Sequence, residues 1–124
     1  MSYPADLKYT KDHEWIRVTG DTAAIGVTDF AQRQLGDVVY LDLPDVGRAV
    51  TAGESFGSIE SVKAVSDLFA PMSGEVIEVN DWLKSHPESV NTDPHGAWMI
   101  KVRVNVPDEA SALLDVTQYE SLLG

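Results

Sequence analysis

The fold of this chain is decided by the stretch Ser58-Ile59-Glu60-Ser61-Val62-Lys63-Ala64-Val65-Ser66-Asp67. It places a single lysine, Lys63, between two short runs whose composition predicts β-strands, at 54–61 and 64–69. A proline and a Ser73-Gly74 pair then predict a turn. A lysine at a hairpin tip holds its amine in water on a flexible stem, where a modifying enzyme can reach it. The alternative is an ordinary solvated lysine, and spacing alone leaves both open.

The chain is an acidic protein of 124 residues without cysteine, with a formal net charge of −11. This length predicts one domain, spanning 1–124, that can bury a core without disulfides. The missing thiols exclude disulfides, cysteine nucleophiles and thiolate metal sites. The negative charge and the lack of a basic cluster argue against binding to nucleic acid or anionic membranes, and favour basic faces of partner proteins.

Neither a membrane span nor a secretory signal is predicted. No apolar run approaches the roughly 20 residues that a membrane-spanning helix needs. The amino terminus has neither the basic start nor the apolar core of a signal peptide. We therefore expect a cytoplasmic protein of bacterial type with no targeting segment.

Further strands are predicted wherever short apolar runs are bounded by turn signals. They are expected at 13–18, 22–27, 37–43, 48–52, 74–79 and 98–104. Seven or eight short strands at this spacing favour a β-sandwich or a partly closed barrel. Two similar triplets, Ala52-Gly53-Glu54 and Ser73-Gly74-Glu75, lie on either side of Lys63 and suggest a two-fold arrangement.

Helical segments are predicted at the edges of the strands. Thr28 is the expected N-cap of a helix at 29–35, and Gly36 is its expected stop. The other expectations are an irregular lead-in at 1–10, an Asn80-capped turn at 81–84, a loop at 85–96, a helical stretch from Pro107, and a last helix capped by Thr117 and ending at Leu123.

The sequence shows no catalytic or metal-binding pattern. Its three histidines, His13, His86 and His95, lack the spacing of a helical zinc site and are expected at the surface or in loops. There is no Gly-x-Ser-x-Gly motif and no phosphate-binding glycine loop. A single reachable lysine on an otherwise inert acidic barrel indicates a carrier, which needs an arm and a docking body but no catalytic groups.

The segment Glu60-Ser61-Val62-Lys63-Ala64, followed by Ser66-Asp67, closely resembles the lipoylation segment of glycine cleavage system H-proteins. The resemblance continues in order over essentially the whole chain. It includes His13-Glu14-Trp15, Gly26-Val27-Thr28-Asp29-Phe30-Ala31-Gln32, Leu35-Gly36-Asp37-Val38-Val39-Tyr40, Leu43-Pro44, Val50-Thr51-Ala52-Gly53-Glu54, Ala70-Pro71-Met72-Ser73-Gly74-Glu75-Val76 and Trp98-Met99-Ile100-Lys101.

The resemblance implies a mainly β fold, the barrel-sandwich hybrid of lipoyl and biotinyl domains, with short peripheral helices and a C-terminal helix. It implies that lipoate is joined by an amide bond to Lys63 and that the protein is a non-catalytic carrier subunit. In the family, the loaded arm folds back into a cleft whose matching residues here include Glu14 and Asp67. Glu60 matches better as a recognition residue for the lipoylating enzyme or for a basic partner face.

The resemblance also implies four partner enzymes. The pyridoxal-phosphate glycine decarboxylase would release CO₂ and pass the aminomethyl group to the lipoyl disulfide. The tetrahydrofolate-dependent aminomethyltransferase would then release ammonia and form methylene-tetrahydrofolate. The dihydrolipoyl dehydrogenase, with FAD and NAD, would reoxidise the arm, and a lipoylating enzyme would attach it.

Other carriers are the main alternatives to this interpretation. A biotin carrier domain shares the fold, but its lysine typically sits between methionines, where this chain has Val62 and Ala64. A lipoyl domain of a 2-oxoacid dehydrogenase would be shorter and tethered by a Pro/Ala-rich linker. An H-like protein that donates or relays lipoate to other enzymes remains open. The chain departs from the family pattern at 93–98, where His95 and Ala97 replace an aromatic residue and a glycine, and one residue is missing.

Overall fold

The computed structural model describes residues 3–124 as two antiparallel β-sheets with short helices at their edges. The elements in chain order are β1 (Lys8–Tyr9), β2 (Glu14–Thr19), β3 (Thr22–Val27), α1 (Asp29–Leu35), β4 (Val38–Asp42), β5 (Ala49–Val50), β6 (Ser55–Ser61), β7 (Val65–Phe69), β8 (Gly74–Val79), α2 (Asp81–Ser85), α3 (Ser89–Thr92), β9 (Ile100–Val104), a 3₁₀ helix (Pro107–Ala112) and α4 (Val116–Leu123). Six strands form one sheet in the order β1-β2-β3-β9-β8-β5, and three form the other in the order β4-β6-β7. The expected mainly β architecture with a C-terminal helix is confirmed.

The main core lies between the two sheets. Strands with period-2 alternation turn one face inward, so Ile25 and Val102 of the large sheet meet Leu41, Ile59 and Leu68 of the small one. These five side chains are at most 2% exposed. Fully burying an aliphatic side chain of this size contributes about 1.5–3 kcal/mol. This core therefore holds the small sheet, and the β6–β7 hairpin with it, firmly against the body.

A second core of aromatic residues joins the two ends of the chain. Tyr9 of β1 and Tyr119 of α4 stack with ring centroids 4.7 Å apart, and both rings are fully buried. Trp15 and Leu7 complete the cluster. The backbone of Tyr9 also exchanges two hydrogen bonds of 2.8 Å with that of Leu114, just before α4. The C-terminal helix is thus fastened to the first two strands.

The helix at 29–35 forms as predicted because its signals are local. The Thr28 hydroxyl accepts a hydrogen bond of 3.3 Å from the Ala31 N–H. Gly36 ends the helix with a φ of 79°, a conformation that favours glycine. In the same way, the Asn80 side chain caps α2 through the Leu83 N–H, and that helix extends to Ser85.

Three predictions of secondary structure were wrong. The lead-in expected at 1–10, of which residues 1–2 lie outside the described part of the chain, contains β1, because Tyr9 pairs with Trp15 of β2 and with Leu114, which is far along the chain. The expected loop at 85–96 contains α3, whose Val90 is fully buried. The last helix is capped by Asp115 and not by Thr117, since the Asp115 and Gln118 side chains each bond the other's backbone N–H in a capping box. The strands described in 3–124 number nine.

Within residues 3–124, every helix is too short or too polar to cross a lipid bilayer.

Candidate functional site

Lys63 lies at the tip of the β6–β7 hairpin in a short, well-bonded turn. The Ser61 N–H donates to the Ala64 carbonyl at 2.8 Å, which closes the turn. The buried Ser61 hydroxyl accepts from the Lys63 N–H at 3.2 Å and from the Ala64 N–H at 3.1 Å. Lys63 and Ala64 are exposed, as is Val62 at 69%. The serine thus holds the backbone in place while the lysine side chain remains accessible.

The turn is attached to the loop that follows α1. The Val62 N–H donates to the Asp37 carbonyl at 3.0 Å. The neighbouring Gly36 gives room to the lysine stem, since an ideal Cβ at this position would lie 3.5 Å from Lys63 Cε. A side chain larger than a methyl group here would crowd the stem, besides straining the positive φ of Gly36. The position of Lys63 therefore depends on the end of α1.

Asn91 of α3 holds this loop. Its amide nitrogen donates to the Gly36 carbonyl at 2.8 Å and to the Gln32 side chain at 3.0 Å. Its amide oxygen accepts from the Val38 N–H at 2.9 Å. One side chain therefore joins the end of α1 to the start of β4, next to the loop to which the lysine turn is bonded.

A cleft of about 310 Å³ begins beside the lysine turn and reaches the start of β2. Its walls come from α1, from the residues before and within β2, and from the edge strand β7. Most of the lining is apolar. The lining residues are Asp12, His13, Glu14, Val27, Ala31, Gln34, Leu35, Ile59, Ala64, Val65, Ser66, Asp67 and Leu68.

Glu14 lines this cleft and carries a buried carboxyl group. The residue is 2% exposed. One carboxyl oxygen accepts from the Thr10 hydroxyl at 3.0 Å, and the other accepts from the Phe69 N–H at 2.9 Å. Burial raises the pKa of Glu14 to about 7, although both hydrogen bonds oppose the shift and the nearby Asp12 adds to it. Glu14 thus bridges β2 and β7, and its burial favours the protonated form.

The structure separates the other two acids that the sequence singled out. Asp67 is exposed on β7 and lines the cleft together with Glu14. Glu60 does not line the cleft. It is exposed in the middle of the small sheet, paired with Tyr40 of β4 and Val65 of β7, which are 56% and 67% exposed. Glu60 and its two neighbours therefore form an outward surface beside the lysine turn.

Sequence reasoning missed one residue next to the cleft, Tyr119. Tyr119 is fully buried, and its hydroxyl lies 2.8 Å from His13 Nδ1 and 2.7 Å from the Thr28 hydroxyl. His13 and His95 lie in loops, as expected, but both are half-buried and hydrogen-bonded. No signal in the sequence links position 119 to position 13, since the contact spans 106 residues.

His95 occupies the place where the chain departs from the family pattern. Its Nε2 accepts from the Asp29 N–H at 3.2 Å, at the start of α1. The Trp15 indole N–H donates to the Pro94 carbonyl at 2.9 Å. The segment at 93–98 is thereby held against α1 and β2, away from the residues that line the lysine cleft. Among residues 3–124, no three His, Asp or Glu side chains are grouped closely enough to hold a metal ion.

Comparison with known proteins agrees with this architecture. The family model described as Glycine cleavage H-protein matches residues 7–124. A glycine cleavage system H protein of Koribacter versatilis is 58% identical over 120 residues, which are 97% of this chain and 93% of the relative. One of Geobacillus kaustophilus is 54% identical over 124 residues, covering 99% and 98%.

A solved structure is similar over nearly the whole length. The crystal structure of a glycine cleavage system H protein from Mycobacterium marinum superposes with a TM-score of 0.88 at 42% sequence identity, covering 98% of this chain and 99% of the other. Agreement in sequence over the whole chain and in fold at this level excludes a chance match of the lysine segment alone. The chain belongs to the glycine cleavage H-protein family.

Proposed function

We propose that this chain is the lipoyl carrier protein of the glycine cleavage system and that lipoate is joined by an amide bond to Nζ of Lys63. One observation carries the proposal: an exposed lysine on a hydrogen-bonded turn lies beside a cleft that is lined by the buried Glu14. The family membership agrees with it. An ordinary solvated lysine needs neither the turn nor the cleft.

The cleft fits an arm of this kind. Its volume of about 310 Å³ lies at the lower end of the roughly 300–1,000 Å³ that small-molecule sites occupy. Apolar side chains of α1 and the small sheet, such as Leu35 and Leu68, match an alkyl chain. The carboxyl groups of Glu14 and Asp67 match a cationic end. The chain without cysteine also fits, because lipoate brings both sulfur atoms.

When bound, lipoate supplies a disulfide that accepts the aminomethyl group of glycine on one sulfur while the other sulfur becomes a thiol. The chain itself attaches the arm at Lys63, lines its resting place and excludes water from it. No group of the chain is required to make or break a bond in the cargo. We therefore assign it a non-catalytic role, with the chemistry left to the partner enzymes.

Glu14 is suited to hold an amine. A buried carboxyl group with a pKa of about 7 is stabilised as an anion once a cation lies beside it. The arriving ammonium group therefore lowers the pKa of Glu14 and is itself held more strongly than in water, because the surroundings are poorly solvated. Asp67, exposed at the mouth, contributes a weaker and screened attraction.

The partners follow from the same proposal. They are the pyridoxal-phosphate glycine decarboxylase, the tetrahydrofolate-dependent aminomethyltransferase, dihydrolipoyl dehydrogenase and the lipoylating enzyme, all acting in the cytoplasm. Glu60 serves recognition by the lipoylating enzyme, since it is exposed next to the lysine turn and outside the cleft. The net charge of −11 favours partners with basic docking faces.

The attachment site is tested by intact-mass analysis after incubation with lipoate, ATP and a lipoate ligase. The wild-type chain is expected to gain one lipoyl group, and Lys63→Arg none. Lys84→Arg, at an exposed lysine of α2, is the matched control and is expected to be modified normally. An unmodified wild-type chain under saturating conditions contradicts the proposal, and addition of biotin by a biotin ligase would favour a biotin carrier.

The cargo is tested by exchange of labelled bicarbonate into glycine with purified decarboxylase. The lipoylated wild-type chain is expected to support exchange, and the unlipoylated chain is not. A lipoylated chain that supports only a 2-oxoacid dehydrogenase, or that only passes lipoate on to other proteins, would count against the proposal.

A further inference from the structure

One oxygen atom of the C-terminal helix connects the two walls of the lysine cleft. The hydroxyl of Tyr119 in α4 lies 2.7 Å from the Thr28 hydroxyl and 2.8 Å from Nδ1 of His13. Tyr119 and Thr28 are fully buried, and His13 is half-buried. Neither the attachment of the arm nor the cleft carboxyl group requires this contact.

Each of the two partners controls one wall. Thr28 caps α1, and the residues of α1 that line the cleft are one to two turns further along. His13 lines the opposite wall and directly precedes Glu14. The Thr28 N–H also donates to the His13 carbonyl at 3.0 Å. Tyr119 therefore adds a side-chain connection at the point where the two walls already meet.

The backbone at His13 needs support from its surroundings. Its φ of 67° lies in the left-handed region, which non-glycine residues rarely adopt. The ring packs against Phe30 of α1, with centroids 4.4 Å apart and the ring planes tilted by 38°. The Tyr119 ring in turn stacks on Tyr9 at 4.7 Å, so the phenol cannot turn away without breaking that packing. The aromatic cluster thus fixes the position of the Tyr119 hydroxyl beside the cleft.

The hydrogen bonds among Thr28, Tyr119 and His13 are all formed when each proton is donated in the direction from Thr28 to His13. The Thr28 oxygen accepts from the Ala31 N–H, so its proton is free to go to Tyr119. Tyr119 then donates its own proton to Nδ1 of a neutral His13. We assign the proton of His13 to Nε2 on this basis. If His13 were charged, Nδ1 would donate instead, the order would reverse, and the Thr28 proton would lose its buried acceptor.

We propose that Tyr119 is a positioning residue, which holds His13 and the start of α1 so that the C-terminal helix sets how tightly the cleft closes over the loaded arm. The proposal rests on the function proposed above. A looser cleft would admit more water to the loaded arm and so speed the hydrolysis of the aminomethyl group. Hydrolysis of the cargo consumes one water, breaks its carbon–sulfur and carbon–nitrogen bonds, and yields the arm thiol, formaldehyde and ammonium without any change of oxidation state.

The test compares Tyr119→Phe with Tyr9→Phe in the full-length lipoylated protein. Both variants lose one phenol oxygen from the same aromatic cluster. Tyr9, however, donates to the Pro4 carbonyl at 2.6 Å and does not line the cleft. The arm is reduced, loaded with formaldehyde and ammonia, and diluted, and the release of formaldehyde is followed. Release is expected to be about fivefold faster in Tyr119→Phe, the factor that corresponds to one lost hydrogen bond, and unchanged in Tyr9→Phe.

A second measurement, the pKa of His13, can be made on the unlipoylated chain. The pKa of His13 is lowered by burial, against the opposing effect of Asp12. Glu14 follows it in sequence, and α1 and α4 face it with Phe30 and Tyr119. A proton donated by Tyr119 to Nδ1 favours neutral His13, so Tyr119→Phe is expected to raise the pKa of His13 in NMR titrations of the unlipoylated chain. Tyr9→Phe is expected to leave the pKa of His13 unchanged. A general loosening of the fold would instead change this pKa in both variants.

Equal formaldehyde release from both variants, or an unaltered pKa of His13 in Tyr119→Phe, would overturn the proposal. His13→Asn provides a second variant, because asparagine tolerates a positive φ but does not reach Tyr119. It is expected to release formaldehyde faster than wild type, and an unchanged rate would also count against the proposal. If the wild-type chain is not lipoylated, the proposed function fails, whereas a loaded wild type with indistinguishable variants refutes only the role of Tyr119.

Discussion

Glu14 shows how one buried side chain serves both the fold and the site. Its two carboxyl oxygens join the start of β2 to β7 through Thr10 and Phe69. The same residue lines the cleft. A neutral residue with the same shape could make the bridge, but only an ionisable one can attract an amine. The folded protein therefore buries the ionisable Glu14, although burial disfavours the ionised form of its carboxyl group.

The free energy of unfolding should reflect the cost of ionising the buried carboxyl group of Glu14. The pKa of Glu14 rises from 4.5 in the unfolded chain to about 7 in the folded protein, so between these values the folded state binds one more proton than the unfolded state. Stability contributed by the protonated carboxyl group is present below pH 4.5 and is lost as the pH rises to 7. Glu14→Gln should therefore match wild type near pH 4 and be more stable at pH 8, by on the order of 3 kcal/mol.

Urea unfolding of both proteins from pH 4 to pH 8 measures this difference. Asp67→Asn is the control, because it removes an exposed carboxyl group from the same cleft. A constant difference between Glu14→Gln and wild type across this range would contradict the raised pKa. In the lipoylated protein, Glu14→Gln should also shorten the lifetime of the bound aminomethyl group, since the amide no longer attracts the ammonium group.

At the level of elements, α3 supports the lysine without touching it. Asn91 makes three hydrogen bonds, to Gln32 and Gly36 at the end of α1 and to Val38 at the start of β4. The turn that carries Lys63 is bonded to the same loop through Asp37. A helix of four residues thus contributes to the placement of Lys63.

Removing this side chain should destabilise the protein and loosen the lysine turn. Asn91→Ala leaves the Val38 N–H and the Gly36 carbonyl without their partner, which should lower the free energy of unfolding by about 2 kcal/mol. Hydrogen exchange at the Val62 amide should become faster in parallel. Thr92→Ala, on the same helix but exposed, is the control and should change neither quantity measurably. An equal effect of the two variants would refute the role of Asn91.

The elements differ in how far their own residues predict them. The helix at 29–35 was predicted to the residue because its cap at Thr28 and its stop at Gly36 act within a few positions. The helix α3 and the strand β1 were missed. Val90 is buried by residues far along the chain, and the backbone of Tyr9 pairs with residues at both ends of the chain. Such contacts leave no periodic signal in short segments.

For the whole molecule, the net charge of −11 should favour encounter with partners whose docking faces are basic. Added salt should weaken this attraction, because it screens charges over shorter distances. Glu60 lies next to the lysine turn, whereas Glu54 is exposed near the opposite end of the same strand. Both carry the same charge, so only their position distinguishes them.

The difference between Glu60 and Glu54 should be measurable as the rate of lipoylation when the concentration of this protein is well below KM. Glu60→Gln is expected to lower kcat/KM of the lipoylating enzyme by about tenfold, as expected for a lost charged hydrogen bond, and Glu54→Gln by less than about twofold. Raising the salt concentration should slow lipoylation of wild type and narrow the gap between the variants. Equal rates for the two variants would rule out local recognition at Glu60.

The hairpin with Lys63, the mainly β architecture and the family could be predicted from the residues alone, because turns, caps and period-2 strands are local and the resemblance covers the whole chain. The resemblance also suggested Glu14 and Asp67, and both line the cleft. The burial and raised pKa of Glu14, the position of Glu60 outside the cleft and the contact between Tyr119 and His13 became evident only from the packed structure. Burial and contacts across 106 residues depend on how the sheets and the last helix pack together, and no local pattern encodes that.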